Sequence, residues 1–225
     1  MADTINPEVI ERMYKYNSAE TRPLKKADGL FVFGRVDARV AYRTADLFQS
    51  GLTDYALMVG GLGKDSGFLT RLGIPESHFL ASILLGNYSE SIPADKIHVE
   101  PRPTNGGECC RMGLEYITNN GLPHNRMTVV IHPTSLRRIR AMLDLIAPQR
   151  GFEAEWQGTG TGYVFDSENP VDQKEAVAEL LRVWSWPDHK NDEGKSDPWC
   201  APQADLPQDL VEDARRYNMI LNPKK

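Results

Sequence analysis

A glycine-rich segment that carries one lysine and one serine follows a short apolar run near residue 60. It reads Gly60-Gly61-Leu62-Gly63-Lys64-Asp65-Ser66-Gly67. Glycine lets backbone N–H groups approach a ligand closely, and Lys64 and Ser66 add side-chain donors. The segment is not a Walker A loop, because an aspartate follows Gly63-Lys64 where that motif has Ser or Thr. Two interpretations stay open, contact with an anion or a plain turn.

Three arginines, Arg137, Arg138 and Arg140, lie close together after the fourth apolar run and the segment His132-Pro133-Thr134-Ser135. With Thr134 as the N-cap of a helix, they fall in its first two turns, where three cations oppose the helix dipole. A bound anion would reconcile them with that position. The alternative is that they face solvent and pair locally, as Arg140 would with Asp144.

Several polar groups have the chemistry of acids and bases. Glu100 ends the third apolar run, where it could bind a ribose hydroxyl or an amine, or act as a general base. Glu108 lies three residues after Asn105 in Thr104-Asn105-Gly106-Gly107-Glu108, a spacing that a helix capping box also requires. His78 is a further acid–base candidate, although a lone histidine more often serves polar packing.

The elements that would position these groups are short apolar runs alternating with amphipathic helices. The runs are Gly29–Phe33, 55–59, 96–99 and 127–131, with a later or edge strand around 152–156. This pattern predicts an α/β protein, a Rossmann-like three-layer sandwich with a mostly parallel sheet. Ligands of such sheets bind beyond the carboxyl ends of the strands, so the turns should share one rim. The predicted ligand-binding residues on that rim are Gly34, Arg35, Gly60, Gly61, Gly63, Lys64, Ser66, Thr104, Asn105, Thr134, Arg137, Arg138 and Arg140; the predicted catalytic residues are Glu100, Glu108 and His78.

Composition narrows the class of protein. The 225 residues suffice for one domain, predicted over 1–225 with a long loop at 187–205 before a last helix, and the net charge of −5 argues against a nucleic-acid partner. No apolar stretch approaches the roughly 18 residues that span a bilayer, and no signal peptide is visible, so we expect a cytoplasmic protein without a membrane partner. The three cysteines form no disulfide framework and no CxxC pattern, so we expect no metal site.

Three blocks of this sequence resemble the YdcF-like family, bacterial proteins related to SanA and ElyC. They are 59–63, the stretch 97–100 followed by 104–108, and the block 133–138, in matching order and spacing. The resemblance implies a Rossmann-like three-layer fold and, as a cofactor, S-adenosylmethionine, which has been associated with the soluble branch. The positions that match recurrent motif positions are Gly60, Gly61, Glu100, Thr104, Asn105, Glu108, Thr134 and Arg140. Two departures are Arg137, where many relatives have histidine, and His78, near which relatives have an acidic residue.

The sequence is compatible with three functions. The first is a small-molecule enzyme or binding protein that uses S-adenosylmethionine or a related nucleotide-like anionic ligand. The second is a phosphate-ester hydrolase or transferase, in which Lys64, Arg137 and Arg138 clamp the phosphate and Glu100 or Glu108 is the base. The third is a non-enzymatic ligand sensor or interaction module that uses the same pocket.

Overall fold

A five-stranded parallel sheet forms the centre of the molecule, with the strand order β3-β2-β1-β4-β5. The computed structural model describes residues 4–64, 66–190 and 196–223. The strands are β1 (Gly29–Phe33), β2 (Tyr55–Val59), β3 (Ile97–Glu100), β4 (Arg126–Val130) and β5 (Glu155–Thr159). In the register of the sheet, Gly29 lies opposite Tyr55 on one side and Met127 on the other. The predicted α/β class with its parallel, Rossmann-like sheet is confirmed.

Helices cover both faces of the sheet. They are α1 (Pro7–Asn17), α2 (Arg39–Gln49), α3 (Phe68–Leu72), α4 (Glu76–Tyr88), α5 (Gly106–Asn119), α6 (Leu136–Gln149), α7 (Pro170–Ser185) and α8 (Gln208–Leu221). Successive strand residues point to opposite faces, so Phe31 and Leu57 pack with α5 and α6, whereas Leu30 and Met58 pack with α2 and α4. Because both faces are buried, the central strands consist of continuous apolar runs, as the sequence indicated.

A third apolar cluster joins the two ends of the chain to the sandwich. Buried residues of α1, α7 and α8, among them Met13, Leu180 and Tyr217, pack together, and α7 also contacts α6. This arrangement carries α7, which follows β5 in the chain, over the carboxyl ends of the strands that precede it. The position of α7 matters for the site, because two of its glutamates reach that rim.

Some predicted boundaries differ from the structure. A short 3-10 turn, Pro133–Ser135, precedes α6, so the predicted N-cap role of Thr134 is wrong and Ser135 holds the N-cap position. The five-residue helix α3 was not predicted, because its short apolar segment gives no helical period. Of the predicted loop 187–205, positions 191–195 lie outside the described residues, and the remainder contains a bridge between Lys190 and Ser196.

Two kinds of feature are absent from the described residues. None of their helices is long and apolar enough to cross a membrane. Within the same ranges, no group of three or more histidine, cysteine, aspartate or glutamate side chains is arranged to hold a metal ion. The three cysteines, Cys109, Cys110 and Cys200, are free and buried.

Candidate functional site

The order of the sheet reverses between β1 and β4. The chain leaves β1 toward α2 on one face and leaves β4 toward α6 on the other, so the two connections diverge and leave a crevice between them. Doubly wound sheets bind their ligands in this crevice, beyond the carboxyl ends of the strands. The turns that the sequence singled out, after Phe33 and before Leu136, are the two that border it.

A cavity of about 590 Å³ opens at this rim, a volume within the usual range for small-molecule sites. Its walls come from the turns after β1, β2, β3 and β4 and from α7. Nine predicted ligand-binding residues line it: Gly34, Arg35, Gly60, Gly61, Gly63, Lys64, Thr104, Asn105 and Arg138. We call this space the rim cavity. The fold therefore brings residues from four separate turns to one place.

The glycines of the rim cavity shape its wall, and their amides are already used. Gly60 N–H donates to the Glu100 carbonyl, Gly61 N–H to the Pro103 carbonyl and Gly63 N–H to the Ser66 hydroxyl. Gly60 needs its positive φ of 143°, which side-chain-bearing residues rarely adopt. These three amides are therefore not free to bind an anion, and Lys64 is the side chain with which the segment lines the cavity.

Two glutamates of α7 lie in the rim cavity and hold the predicted arginines. Glu175 accepts from Arg35 Nη1 at 2.7 Å, and Glu179 accepts from Arg138 Nε at 2.5 Å and from Arg182 Nη1 at 2.7 Å. Burial would raise the pKa of Glu179, but the charge of Arg138 and its hydrogen bond hold it below the usual value. Sequence reasoning missed both glutamates, because α7 was recognised only by its apolar positions.

Despite these ion pairs, cationic side chains outnumber acidic ones in the lining of the rim cavity. Among the described residues that line the rim cavity, Arg35, Lys64, Arg138, Lys174 and Arg182 are cationic, and Glu76, Glu175 and Glu179 are acidic. Within the described residues, Lys64 and Lys174 form no ion pair. The field in the cavity therefore favours an anionic ligand over a cationic one.

A buried polar network joins the ends of β1 and β4 to α7. Thr134 Oγ1 donates to Glu175 Oε1 at 2.5 Å, and His132 Nδ1 lies 2.8 Å from the same hydroxyl. Because that hydroxyl gives its single hydrogen to Glu175, the imidazole donates from Nδ1 and keeps Nε2 as an acceptor. Burial and the charge of Arg35 lower the pKa of His132 to about 4, so the ring is neutral at pH 7.

This network predicts a pH dependence of stability that passes through His132. The unfolded histidine titrates near 6.5 and the folded one near 4, so the unfolded state binds more protons between these values and stability falls as the pH falls. Between pH 7 and pH 5 this contribution amounts to about 2 kcal/mol. We expect urea unfolding to show that loss in the native chain, and a smaller loss in His132→Asn, whose amide keeps the donor to Thr134. Equal losses in both proteins would contradict the assignment.

The predicted catalytic residues do not line the rim cavity. Glu100 is buried and accepts from Arg102 Nε at 2.8 Å and Nη2 at 2.5 Å, and the hydrogen bond from Arg102 lowers its pKa. Glu108 accepts from the backbone N–H and the hydroxyl of Thr104, while Asn105 caps the Glu108 amide, so the capping alternative describes this pair. His78 is exposed on α4.

Four predicted ligand-binding residues also lie outside it. Arg137 donates to the Tyr16 carbonyl and pairs with Asp205, on the side of α6 that faces α1 and the segment before α8. Ser66 is buried and donates to Glu76 at 2.8 Å, and Thr134 is buried in the network with Glu175. Arg140 lies against Gly158 at the far edge of the sheet, where burial lowers its pKa. Of the three residues predicted to clamp a phosphate, Arg137 therefore lies outside the rim cavity, whereas Lys64 and Arg138 line it.

Comparison with known proteins adds no assignment to this geometry. The similarity to YdcF-like proteins stays a prediction that rests on the three sequence blocks. No protein-family model matches the chain, and no curated protein matches it.

Proposed function

We propose that this chain binds a small phosphorylated, nucleotide-like ligand in the rim cavity and acts on it or senses it. The observation that carries the proposal is the surplus of cations around a cavity at the switch point of the sheet, with Lys64 and Lys174 lacking ion pairs among the described residues. A phosphate would supply the missing negative charge, and lysine binds phosphate well. The chain's net charge of −5 favours a small ligand over nucleic acid.

The first turn of α5 supports the same ligand class. Asn105 and Gly106 border the rim cavity, and no described acceptor takes the N–H groups of Gly106 and Gly107. Unpaired N–H groups at the start of a long helix favour an anion through both hydrogen bonding and the helix dipole. Arg138 lines the same cavity and adds a guanidinium to these backbone donors.

If the ligand is a phosphate ester that reacts, Glu175 is the carboxylate that suits a general base. It lies in the rim cavity, where Glu100 and Glu108 do not. Burial would raise the pKa of Glu175, but its hydrogen bond and charge interaction with Arg35 keep it below its usual value, so it is ionised at neutral pH. An ionised carboxylate next to a bound phosphate ester can take a proton from an attacking water or hydroxyl.

S-adenosylmethionine is the second candidate, and the mixed charge of the rim cavity favours it. Glu76 and Glu175 line the same space as Arg35 and Lys64, which suits a ligand that carries both an ammonium and a carboxylate. In this case Glu175 would take the role predicted for Glu100 from its position at the end of a strand, binding the amine.

Isothermal titration separates these candidates. The ligands are pyrophosphate, adenosine diphosphate, adenosine and S-adenosylmethionine, and phosphate release from a panel of esters is followed in parallel. Binding of the two phosphorylated ligands, without binding of adenosine, supports the proposal, and phosphate release adds catalysis to it. Binding of S-adenosylmethionine alone supports the second candidate. No heat from any ligand at millimolar concentration would refute both.

Replacing Lys64 by alanine tests the cationic wall directly. We expect the dissociation constant for pyrophosphate to rise about tenfold, the size of one lost charge-assisted hydrogen bond, and to depend less steeply on salt. The matched control is Lys96→Ala, because Lys96 is exposed at the amino end of β3, away from the rim. Equal affinities in the two variants would remove Lys64 from the site.

A further inference from the structure

A second and larger cavity adjoins the rim cavity. It has a volume of about 1060 Å³ and lies between α5, α6 and the described residues Asp197, Pro198 and Trp199. Asn105, Gly106, Arg138 and Trp186 line both spaces, so the first turn of α5 and the Arg138 side chain form their junction. We call this second space the side cavity. A ligand anchored at the junction can extend into both.

Two arginines of the side cavity have no carboxylate partner among the described residues. Arg111 and Arg150 line it, and neither forms an ion pair or a side-chain hydrogen bond with a described residue. At the junction, Arg138 gives Nε and Nη2 to Glu179, while the only acceptor near its Nη1 within the described residues is the Met142 sulfur at 3.7 Å. The guanidinium groups of Arg111 and Arg150 and the Nη1 group of Arg138 are therefore available to an anion here.

Two of these guanidinium groups lie against the bare backbone at the start of α5. A Cβ on Gly106 would come within 3.2 Å of Arg138 Nη1, and a Cβ on Gly107 within 3.4 Å of Arg111 Nη1. The glycines thus let both arginines approach the turn whose N–H groups have no described acceptor. Amide and guanidinium donors converge on this point, which fits the oxygens of a phosphate.

One wall of the side cavity is aromatic and apolar, and it begins at Trp186, which also lines the rim cavity. The rings of Trp186 and Trp199 meet at 77° with centroids 5.2 Å apart, and Met142, Leu145 and Ile146 of α6 complete the lining. Trp199 keeps 41% of its surface exposed, although His189 covers one face. A corner of two tryptophan rings beside aliphatic side chains accepts a flat ring, because nucleobases stack on aromatic faces regardless of sequence.

We infer that the side cavity takes the nucleoside part of a nucleoside diphosphate. The base lies in the corner of Trp186 and Trp199, the first phosphate lies at the junction between Arg111 and Arg138, and the terminal phosphate points into the rim cavity toward Lys64. This inference rests on the proposed function and narrows its ligand class. The order of groups follows from the lining. Trp199 lines the side cavity alone, Trp186 lines both cavities with the Arg138 guanidinium 5.3 Å from its ring centroid, and Lys64 lines the rim cavity alone.

The test compares adenosine diphosphate with pyrophosphate, which has the phosphates and lacks the nucleoside. We expect the intact chain to bind adenosine diphosphate about tenfold more tightly or better, as stacking on an aromatic side chain allows. Trp199→Ala should remove about that factor and leave pyrophosphate binding unchanged, whereas Trp199→Phe should keep most of it. Arg111→Ala should weaken both ligands.

The matched control is Trp184→Ala. Trp184 is partly exposed on α7, contacts Arg215 and lines neither cavity, so its loss should change neither affinity. Equal binding of the two ligands, with no effect of Trp199→Ala, refutes this inference and leaves the proposed function standing. Tighter binding of an alkyl diphosphate than of adenosine diphosphate, lost in Trp199→Ala, also refutes it. If neither adenosine diphosphate nor pyrophosphate binds the native chain, the proposed function itself is refuted.

Discussion

Gly61→Ala should lower the free energy of unfolding by about 3 kcal/mol, in the upper part of the range for overpacking. A Cβ on Gly61 would lie 2.4 Å from the Pro101 carbonyl oxygen and 2.8 Å from that of Pro103. Both contacts are with backbone, so no side chain can rotate away to relieve them. The Gly61 amide also donates to Pro103 at 2.6 Å, and separating the two segments to make room would break that bond.

The matched control for this substitution is Gly86→Ala. Gly86 lies near the end of α4, is exposed, and has no atom within 4 Å of the position that a Cβ would take. Alanine favours helix over glycine, so this variant should be more stable by about 0.5 kcal/mol. Urea unfolding of both variants measures the difference. A Gly61→Ala protein as stable as the native chain would show that the β2 turn can move away from residues 101–103.

The same turn shows what the sequence could predict and what it could not. The apolar runs and the glycines after them predicted the strands and the shared rim, because a parallel strand buried on both faces has little choice of residue. The direction of the Gly60 and Gly61 amides depends on where residues 100–103 pass, which is a tertiary fact. The sequence therefore predicted the position of this turn and could not decide between its two roles.

The arginines illustrate a second limit. Arg137 and Arg138 are neighbours in the sequence, yet a helix separates successive side chains by about 100°, so they face different partners. Arg138 turns to Glu179 and the rim cavity, and Arg137 turns to Tyr16 and Asp205. Which of the two belongs to the site depends on where α7 packs. Nothing in the spacing of α7 marks Glu175 and Glu179 as more than helix surface.

Glu175 and Glu179 of α7 also affect how the proposed site could bind an anion, because they pair with two of its arginines. Arg35 and Arg138 were predicted to meet a ligand, and each is paired with a glutamate in the structure. The proposed phosphate at the junction would share Arg138 with Glu179, because the Nη1 group of Arg138 points away from that carboxylate toward Gly106. Ligand affinity and the stability of this buried pair are therefore coupled.

Glu179→Ala should cost about 3–5 kcal/mol of unfolding free energy, the usual cost of leaving one charge of a buried pair uncompensated. Glu179 is 3% exposed and accepts from Arg138, Arg182 and the Ser135 hydroxyl. Without it, the Arg138 guanidinium stays inside the protein with no counter-ion. Urea unfolding measures the loss, and a cost below about 1 kcal/mol would show that solvent reaches Arg138.

The double variant Glu179→Leu with Arg138→Met separates the cost of an orphaned charge from that of lost packing. Replacing a buried pair by apolar residues of similar size is often close to neutral, so the double variant should recover most of the stability that Glu179→Ala loses.

The effect of pyrophosphate on the melting temperature provides an independent readout. Pyrophosphate should raise the melting temperature of Glu179→Gln more than that of the native chain, because Arg138 and Arg182 have lost their carboxylate partner and gain an anion. It should not stabilise the double variant through Arg138, because that variant lacks this arginine. An equal rise in the native chain and in Glu179→Gln would place the ligand away from Arg138, since only a phosphate that shares this guanidinium competes with the carboxylate of α7.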